Sequence, residues 1–187
     1  MRARLASSNP HKLVELRRSL PGWEIALIDD SAFPPETGMT YVENARGKAL
    51  HGRTAAPSGA WVIGEDSGIE AVALEGRPGI ESARWADDGV ERLLAELADV
   101  SDRRARYVCA IVAIGPKGEE ISVEGTLDGE ISRTRRGGEG FGYDPVFVPE
   151  GELQTVAELG DGWKATHSHR ARAADALASG LETLAPG

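Results

Sequence analysis

Apolar and polar positions alternate in a pattern that predicts strands and helices following one another along the chain. Leucines at spacings of three and four predict a helix from Pro10 to about Leu20, after a short strand that contains Leu5. A second strand is expected from Trp23 to Ile28. The run from Arg106 to Ile114 is apolar at consecutive positions, which is typical of a central strand buried on both faces. This alternation favours the α/β class.

The start of the second helix is marked by its own residues. Thr40 and Glu43 have the spacing of a capping box, in which each side chain accepts a backbone N–H bond of the other residue, and the helix should run to about Thr54. Asn44 and Lys48 are four residues apart, so we expect them on one face of this helix.

Turn residues and apolar spacing predict the remaining elements. Between the second strand and the central strand, they are a loop from Asp29 to Met39, a short helix from Ser82 to Trp85 and a helix containing Val90, Leu93, Leu94 and Leu97. A strand from Glu119 to Leu127 follows the central strand through the turn Pro116-Lys117-Gly118, and another strand spans Val146 to Val148. The chain then continues with a helical turn from Thr155 to Leu159, a polar loop through Asp161, Gly162 and Lys164, and a last helix from about Arg170 to Leu184.

The turn between the first strand and the first helix has the features of an anion site. Asn9 is a favoured N-cap residue, and Pro10 suits the first helical position. Ser7 and Ser8 add hydroxyl groups, while a helix N-terminus presents backbone N–H groups. The same residues are equally explained if they only cap the helix, so the pattern leaves both interpretations open.

The stretch Glu65–Gly68 is the first candidate for chemistry. Trp61 to Ile63 are interpreted as the end of a buried strand, which would place Glu65 and Asp66 at its carboxyl edge, where open α/β sheets hold their sites. Two carboxylates there can bind a hard cation, and Glu36 becomes a further ligand if the fold returns it to Asp66. Because Asp, Ser and Gly all favour turns, a plain turn is the alternative.

Other reactive side chains have simpler interpretations. Cys109 lies within the central strand and is expected to be a core residue. His167 and His169 form a His-x-His pair, but no third nitrogen or sulfur ligand is spaced to complete a zinc site. Four glycines surround Phe141, which suggests a backbone that passes close to a flat ligand.

Composition narrows the class of protein. The 187 residues fit one domain, or one domain with a lobe, and the net charge of −9 disfavours binding to nucleic acid polymers. The sequence predicts neither a signal peptide nor a membrane span, so we expect a soluble, cytoplasmic protein with no membrane partner. A small anionic substrate remains possible if local cations, backbone donors and a divalent metal offset its charge.

Several separated motifs occur in a recognisable order. They are Ser7-Ser8-Asn9-Pro10-His11-Lys12, then Glu36-Thr37-Gly38 with Glu43, Asn44 and Lys48, then Glu65-Asp66-Ser67-Gly68 continued by Gly76-Arg77-Pro78-Gly79 and Ser82-Ala83-Arg84-Trp85, and finally Gly140-Phe141-Gly142-Tyr143-Asp144-Pro145 with Lys164 and Ser168-His169-Arg170. Together, and nearly end to end, they resemble the inosine triphosphate pyrophosphatase family, the Ham1-like or non-canonical purine nucleoside triphosphate pyrophosphatases.

The resemblance implies a reaction and a fold. Members hydrolyse nucleoside triphosphates such as ITP, dITP and XTP between the α and β phosphates with Mg²⁺, releasing monophosphate and pyrophosphate. The implied fold is a single α/β domain over residues 1–187, in which a long mixed β-sheet is flanked by helices. A substrate cleft between a core and a smaller lobe is implied as well, and so is a homodimer.

The resemblance also implies roles for residues. Asp66, Lys12 and Lys48 would be catalytic, and Glu36 with Asp66 would hold Mg²⁺. Asp66 would orient and deprotonate the attacking water, with Glu65 as the alternative base. The implied substrate-binding residues are Ser7, Ser8, Asn9, Pro10, His11, Lys12, Ser67, Phe141, Gly142, Tyr143, Asp144, Lys164, His169 and Arg170. Among them, Phe141 would stack on the base, and His169 or Arg170 would donate to its C6 oxygen.

Two departures from the family pattern and two rival functions accompany this interpretation. Many relatives carry Asp where Glu65 stands, and the segment from Ala86 to Val90 is shorter than usual. One rival is a Maf-like pyrophosphatase acting on another nucleotide, although those enzymes have a different Ser-rich N-terminal loop. The other is a non-catalytic nucleotide-binding module. A P-loop enzyme is disfavoured because the chain has no Gly-x4-Gly-Lys-Ser/Thr motif.

Overall fold

The structure, a computed structural model, describes residues 1–28, 33 and 35–184. The strands are Arg2–Ala6 (β1), Glu24–Leu27 (β2), Trp61–Ala71 (β3), Arg104–Ile114 (β4), Glu120–Ile131 (β5) and Phe147–Pro149 (β6). The α-helices are Pro10–Ser19 (α1), Tyr41–Ala55 (α2), Gly89–Glu96 (α3), Val156–His167 (α4) and His169–Leu184 (α5), and single 3₁₀ turns occupy Val72–Leu74 and Gly79–Glu81.

The strands of the described residues form one mixed six-stranded sheet in the order β2-β1-β3-β4-β5-β6. β1 pairs in parallel with β2 and β3, whereas β5 and β6 are antiparallel. The predicted α/β class with a mixed sheet is therefore confirmed. The pairing of β1 with β3 ends at Ala6 opposite Gly64, so β3 continues beyond the end of its neighbour.

The chain forms two compact units, the first made of Met1–Asp66, Cys109–Gly125 and Arg170–Gly187 and the second of Ser67–Val108 and Thr126–His169. Each unit has its own apolar core, with Leu16, Ile63 and Leu177 among the buried residues of the first and Leu93 and Phe147 among those of the second. A single domain over residues 1–187 and the substrate cleft stay predictions.

Local sequence signals located most helix starts correctly. Asn9 caps α1 by accepting from the backbone N–H of His11, and Pro10 occupies the first turn. Thr40 and Glu43 form the predicted capping box of α2. The strand from Trp23 to Ile28 is confirmed as β2, one residue shorter at each end. Among the described residues, no helix combines the length and apolar character that a membrane span requires.

Three local predictions need correction or fall outside the described residues. The polar loop predicted through Lys164 is wrong, because a capping box at Thr155 starts α4 and the helix continues past a kink at Gly160, where φ is 79°. The short helix predicted from Ser82 to Trp85 is replaced by the 3₁₀ turn at Gly79–Glu81 and further turns. The loop predicted from Asp29 to Met39 includes Asp29–Ala32 and Pro34, which lie outside the described residues.

The close approach of α2 to β3 depends on Gly64. A Cβ at this position would lie 1.9 Å from the carbonyl oxygen of Ala45 and 2.6 Å from the backbone nitrogen of Ala49. We expect Gly64→Ala to lower the free energy of unfolding by about 1–3 kcal/mol or more, since the overpacked atoms are backbone and cannot rotate away. Urea denaturation measures this change.

Gly47 in the same helix provides the matched control. Apart from its chain neighbours and the nearby backbone of its own helix, no atom lies within 4 Å of a Cβ built there, so Gly47→Ala should raise the free energy of unfolding by about 0.5–1 kcal/mol through the helix preference of alanine. Similar urea midpoints for Gly64→Ala and Gly47→Ala would show that the contact between α2 and β3 is not tight.

Candidate active site

The two adjacent carboxylates lie inside β3 and not at its end. Because side chains alternate across a strand, Glu65 and Asp66 point to opposite faces of the sheet. Val62 and Gly64 lie against α2, which assigns Asp66 to the α2 face. Ile63 packs in the core with α1 and α5, which assigns Glu65 to the other face. The predicted edge position and the alternative of a plain turn are therefore both wrong.

On the α2 face, Asp66 is held by side chains that α2 presents. Asn44 Nδ2 donates to Asp66 Oδ2 at 3.0 Å, and Lys48 Nζ donates to Oδ1 at 2.9 Å. Lys48 Nζ also lies 2.5 Å from Glu36 Oε1 and donates to the carbonyl oxygen of Glu65 at 3.1 Å. The fold thus returns Glu36 to the group that contains Asp66, with one ammonium shared by both carboxylates.

The electrostatic environment of this group favours a further positive charge. Burial raises the pKa of Asp66 above its ordinary value, and the negative charge of Glu36 adds to this shift, while Lys48 only partly opposes it. Burial lowers the pKa of Lys48, but Asp66 and Glu36 outweigh burial, so the net shift is upward and the ammonium stays charged. The two carboxylates are therefore only partly neutralised by Lys48.

On the opposite face, Glu65 is fully buried among charged partners. Its Oε2 lies 2.5 Å from Lys12 Nζ, and its Oε1 accepts from Arg170 Nη2 at 2.8 Å. Arg170 Nη1 also donates to Glu15, and the thiol of Cys109 donates to Glu65 Oε1 at 3.3 Å. Cys109 is a buried core residue as predicted, and burial raises the pKa of its thiol.

These contacts change the interpretation of Glu65 and Arg170. Burial alone would raise the pKa of Glu65, but Arg170 and Lys12 outweigh it and hold that pKa well below its ordinary value. A carboxylate so strongly stabilised as an anion is a poor general base, which argues against Glu65 as the alternative base. The Arg170 guanidinium is buried against Glu65 and Glu15, which favours a structural role over donation to a base edge.

The turn before α1 contains the predicted Asn9 cap and a further hydrogen bond that Ser7 accepts. Ser7 Oγ accepts from the backbone N–H of Asn9 at 3.1 Å, and Asn9 Oδ1 accepts from that of His11 at 2.9 Å. Ser8, Asn9 and His11 are not buried, and Pro10 is exposed with them at the helix start. The capping interpretation is thereby confirmed, while anion binding at the same turn stays a prediction.

In the second unit, Asp144 organises the glycine-rich loop. Its Oδ2 accepts from the backbone N–H of Phe141 at 2.9 Å and from Lys164 Nζ at 2.6 Å. Its Oδ1 accepts from the hydroxyl of Tyr107 at 3.1 Å. Gly140 permits this arrangement, because φ is 79° there and a Cβ would lie 2.2 Å from Asp144 Oδ2. The buried Asp144–Lys164 pair thus fixes the loop backbone around Phe141.

The remaining predicted residues of this unit differ in burial, since Tyr143 and His169 are buried, Ser67 and Phe141 are half-buried and Gly142 is exposed. The Phe141 ring is half-buried, with Lys164 Nζ 4.9 Å from its centroid. His169 stacks on Tyr107 with ring centroids 4.5 Å apart, and the Tyr143 hydroxyl donates to the carbonyl oxygen of Ser82 at 3.0 Å. Direct substrate contacts of Ser67, Gly142, Tyr143, Asp144, Lys164 and His169 stay predictions.

Three structurally important residues were missed in the sequence. Glu15 was missed because a glutamate on an amphipathic helix is ordinarily exposed, yet this one is buried and paired with Arg170. Tyr107 lies in an apolar strand, and the spacing of apolar residues there does not indicate that its hydroxyl bonds to Asp144. Glu139 accepts from the backbone N–H of Asp161 at 3.0 Å, just after the α4 kink, and its place between two glycines was the only sequence hint.

Comparisons with known proteins agree with the motifs and the geometry. The chain is 46% identical over 182 residues to a dITP/XTP pyrophosphatase of Gloeobacter violaceus, covering 94% of this chain and 92% of the relative. It is 41% identical over 196 residues to a dITP/XTP pyrophosphatase of Bdellovibrio bacteriovorus, covering 97% and 98%.

Solved structures and a family model extend this agreement to the fold. The Ham1 protein of Staphylococcus aureus superposes with a TM-score of 0.85 at 36% identity, covering 99% of this chain and 100% of that one. The model of the Ham1 family matches residues 3–180. The chain therefore belongs to the Ham1 family.

Proposed function

We propose that this protein is a hydrolase that cleaves non-canonical purine nucleoside triphosphates, namely ITP, dITP and XTP, to the monophosphate and pyrophosphate. Such an enzyme removes damaged purines from the nucleotide pool. The proposal is supported by full-length similarity to relatives named dITP/XTP pyrophosphatase. The observation that carries it is the convergence of Glu36 and Asp66 on Lys48.

This convergence is what a triphosphate site requires. A nucleoside triphosphate carries about four negative charges near neutral pH. Further negative charge develops on the leaving pyrophosphate as the anhydride bond breaks. The Lys48 side chain is only 13% exposed, so little water surrounds its ammonium. Its attraction to a bound phosphate is therefore stronger than the same contact would be in bulk water. Lys12, also 13% exposed, supplies a second ammonium at the start of α1.

The donor set also fits Mg²⁺. Within the described part of the chain, no group of three or more His, Cys, Asp and Glu side chains is arranged to hold a metal. Mg²⁺ commonly binds to only one or two carboxylates and completes its ligands with water and substrate phosphates. Glu36 and Asp66 are the residues that would hold it, and when bound it supplies charge neutralisation and a more acidic water.

The protein residues then divide the remaining work. Asp66, with its pKa raised by burial, is the proposed base that orients and deprotonates the attacking water. Asn44 fixes the orientation of the Asp66 carboxylate through a hydrogen bond. Lys48 and Lys12 would contact the phosphates, and the Ser7–Asn9 turn would donate hydrogen bonds at the helix N-terminus.

Base recognition is assigned to the second unit. Phe141 is the proposed stacking surface, and stacking of this kind is worth about 1–3 kcal/mol per base without choosing among bases. Selection must then come from a donor to the C6 oxygen of hypoxanthine or xanthine, a role for His169 or a backbone N–H. Adenine carries an amino group at C6, so its binding would leave that donor unpaired.

A substrate panel tests this function. We expect pyrophosphate release with Mg²⁺ to be fastest in kcat/KM for ITP, dITP and XTP. ATP should be slower by about 10²-fold or more, because its C6 amino group leaves the donor unpaired. GTP keeps the C6 oxygen, so its slower reaction must come from crowding of its 2-amino group or from leaving that group unpaired, and dTTP should be slow as well. Without a divalent cation, release should stop. Equal kcat/KM for ATP and ITP would contradict the selectivity, and preference for dTTP would favour the Maf-like rival.

The remaining parts of the proposal concern the protein's setting. We propose that it acts in the cytoplasm as a homodimer with a small-molecule substrate and no nucleic acid polymer. Release of no product from any triphosphate in the panel would favour the non-catalytic binding module.

A further inference from the structure

Four ionisable side chains of the first unit lie in a line of alternating charge. Glu15 contacts Arg170, Arg170 contacts Glu65, and Glu65 contacts Lys12. Three of the four side chains are almost completely buried, since 8% of the Glu15 side chain is exposed, 2% of the Arg170 side chain and none of the Glu65 side chain. Only Lys12, at 13%, reaches the border with solvent.

The line begins and ends on one helix. Glu15 and Lys12 are three residues apart on α1, so both face the same side of it. Arg170 is well suited to the centre, because its planar guanidinium donates to two carboxylates at once. Since Arg170 and Glu65 are each paired on both sides, Glu65 has little freedom to move away from Lys12.

The position of Lys12 explains why such a partner is needed. Lys12 is the third residue of α1, where the N-terminal end of the helix dipole disfavours a positive charge. A lysine side chain also has a flexible four-carbon stem, so its ammonium samples many positions when it has no partner. Glu65 offsets the dipole and fixes the position of the Lys12 ammonium, which lies 2.5 Å from Glu65 Oε2.

We propose that Glu65, held in place by Arg170 and Glu15, is a positioning residue that fixes the Lys12 ammonium for the substrate phosphates and acts on the reaction only through Lys12. This inference rests on the proposed function in one respect, namely that Lys12 contacts phosphate. It differs from the alternative role of Glu65 as a base, because a base would act on water whether or not Lys12 is present.

A double-mutant cycle separates these roles. We expect Glu65→Gln to lower kcat/KM for ITP about 10- to 100-fold in the wild-type background, as for loss of one charge-assisted hydrogen bond. In the Lys12→Met background the same change should lower it less than about threefold, because the interaction is already absent. Equal losses in both backgrounds, or no loss in either, would overturn the proposal.

Binding of inorganic tripolyphosphate, measured by calorimetry on the same four proteins, keeps the inference separate from catalysis. Glu65→Gln should weaken this binding only when Lys12 is present. If wild-type protein releases no product from any triphosphate, the proposed function fails, while the tripolyphosphate cycle still decides the inference. Equal weakening in both backgrounds would indicate a general structural effect.

Two controls address folding. Thermal unfolding followed by circular dichroism verifies that each variant is folded at the assay temperature. If Glu65→Gln does not fold, Glu15→Gln takes its place in the cycle, because it loosens the same line and leaves Glu65 paired with Lys12 and Arg170. Glu24→Gln removes an exposed carboxylate paired with Arg2 and should change neither kcat/KM nor tripolyphosphate binding.

Discussion

Asp66→Asn is expected to lower kcat for ITP by about 10³-fold, within the range that loss of a general base produces, while the protein stays folded. The asparagine keeps the size of the side chain, and its Oδ1 can still accept from Lys48, whereas its NH₂ group cannot accept the bond that Asn44 donates to Asp66 in the wild type. It cannot accept the proton of the attacking water. Pyrophosphate release under saturating ITP and Mg²⁺ measures the change.

The matched control for this variant is Asp88→Asn, which neutralises an exposed carboxylate that caps α3 and pairs with Arg135. It should leave kcat near the wild-type value. Near-normal turnover by Asp66→Asn would refute the assignment of Asp66 as the base. A fall of similar size in both variants would indicate a general effect of charge.

Arg170→Met is expected to lower the free energy of unfolding by about 3–5 kcal/mol, since removing one partner leaves other buried charges uncompensated. Glu65 and Glu15 both lose their shared cation in this variant, and Glu65 is fully buried. Methionine fills most of the volume of the arginine stem, so the loss measures charge pairing more than packing. Urea denaturation at neutral pH gives the value.

A triple variant tests the physical cause of this loss. The variant that combines Glu15→Gln, Glu65→Gln and Arg170→Met removes the three most buried charges of the line. It should regain much of the lost stability, because none of these three positions keeps an uncompensated buried charge. Arg104→Met, at an exposed pair with Asp102, should change stability little. If Arg170→Met is as stable as wild type, the buried line of charges is not a stabilising feature.

The parts of the fold that the sequence predicted are those governed by neighbours in the chain. Asn9 with Pro10 and Thr40 with Glu43 act within one helical turn, so their patterns determined where α1 and α2 begin. The central strand was evident for a similar reason, since a run of apolar residues needs no distant partner to identify it.

The errors arose where distant residues decide the outcome. Asp, Ser and Gly favour turns, yet the Glu65–Gly68 stretch is extended because each of its two carboxylates finds buried partners on its own face of the sheet. Arg170 lies 105 residues from Glu65 and 155 from Glu15, so no local pattern indicates their pairing. Had the stretch been recognised as strand interior, its two-residue period would have separated Glu65 from Asp66.

The same reasoning explains the mixed outcome for the candidate site. Asn44 and Lys48 were expected on one helix face, and both contact Asp66. Glu36 was expected to act as a ligand only if the fold brought it back to Asp66, and it does contact Lys48, which also contacts Asp66. Asp144 and Lys164 form a buried pair with each other, and the contact with substrate that was expected of both stays a prediction.

The most direct test of the account is the identity of the products formed from ITP by wild-type protein with Mg²⁺. Phosphorus NMR and chromatography of the nucleotides should show one pyrophosphate for each inosine monophosphate, with no orthophosphate. That result places cleavage between the α and β phosphates, as the account predicts. Orthophosphate accompanied by inosine diphosphate would show cleavage at the terminal phosphate and contradict the account.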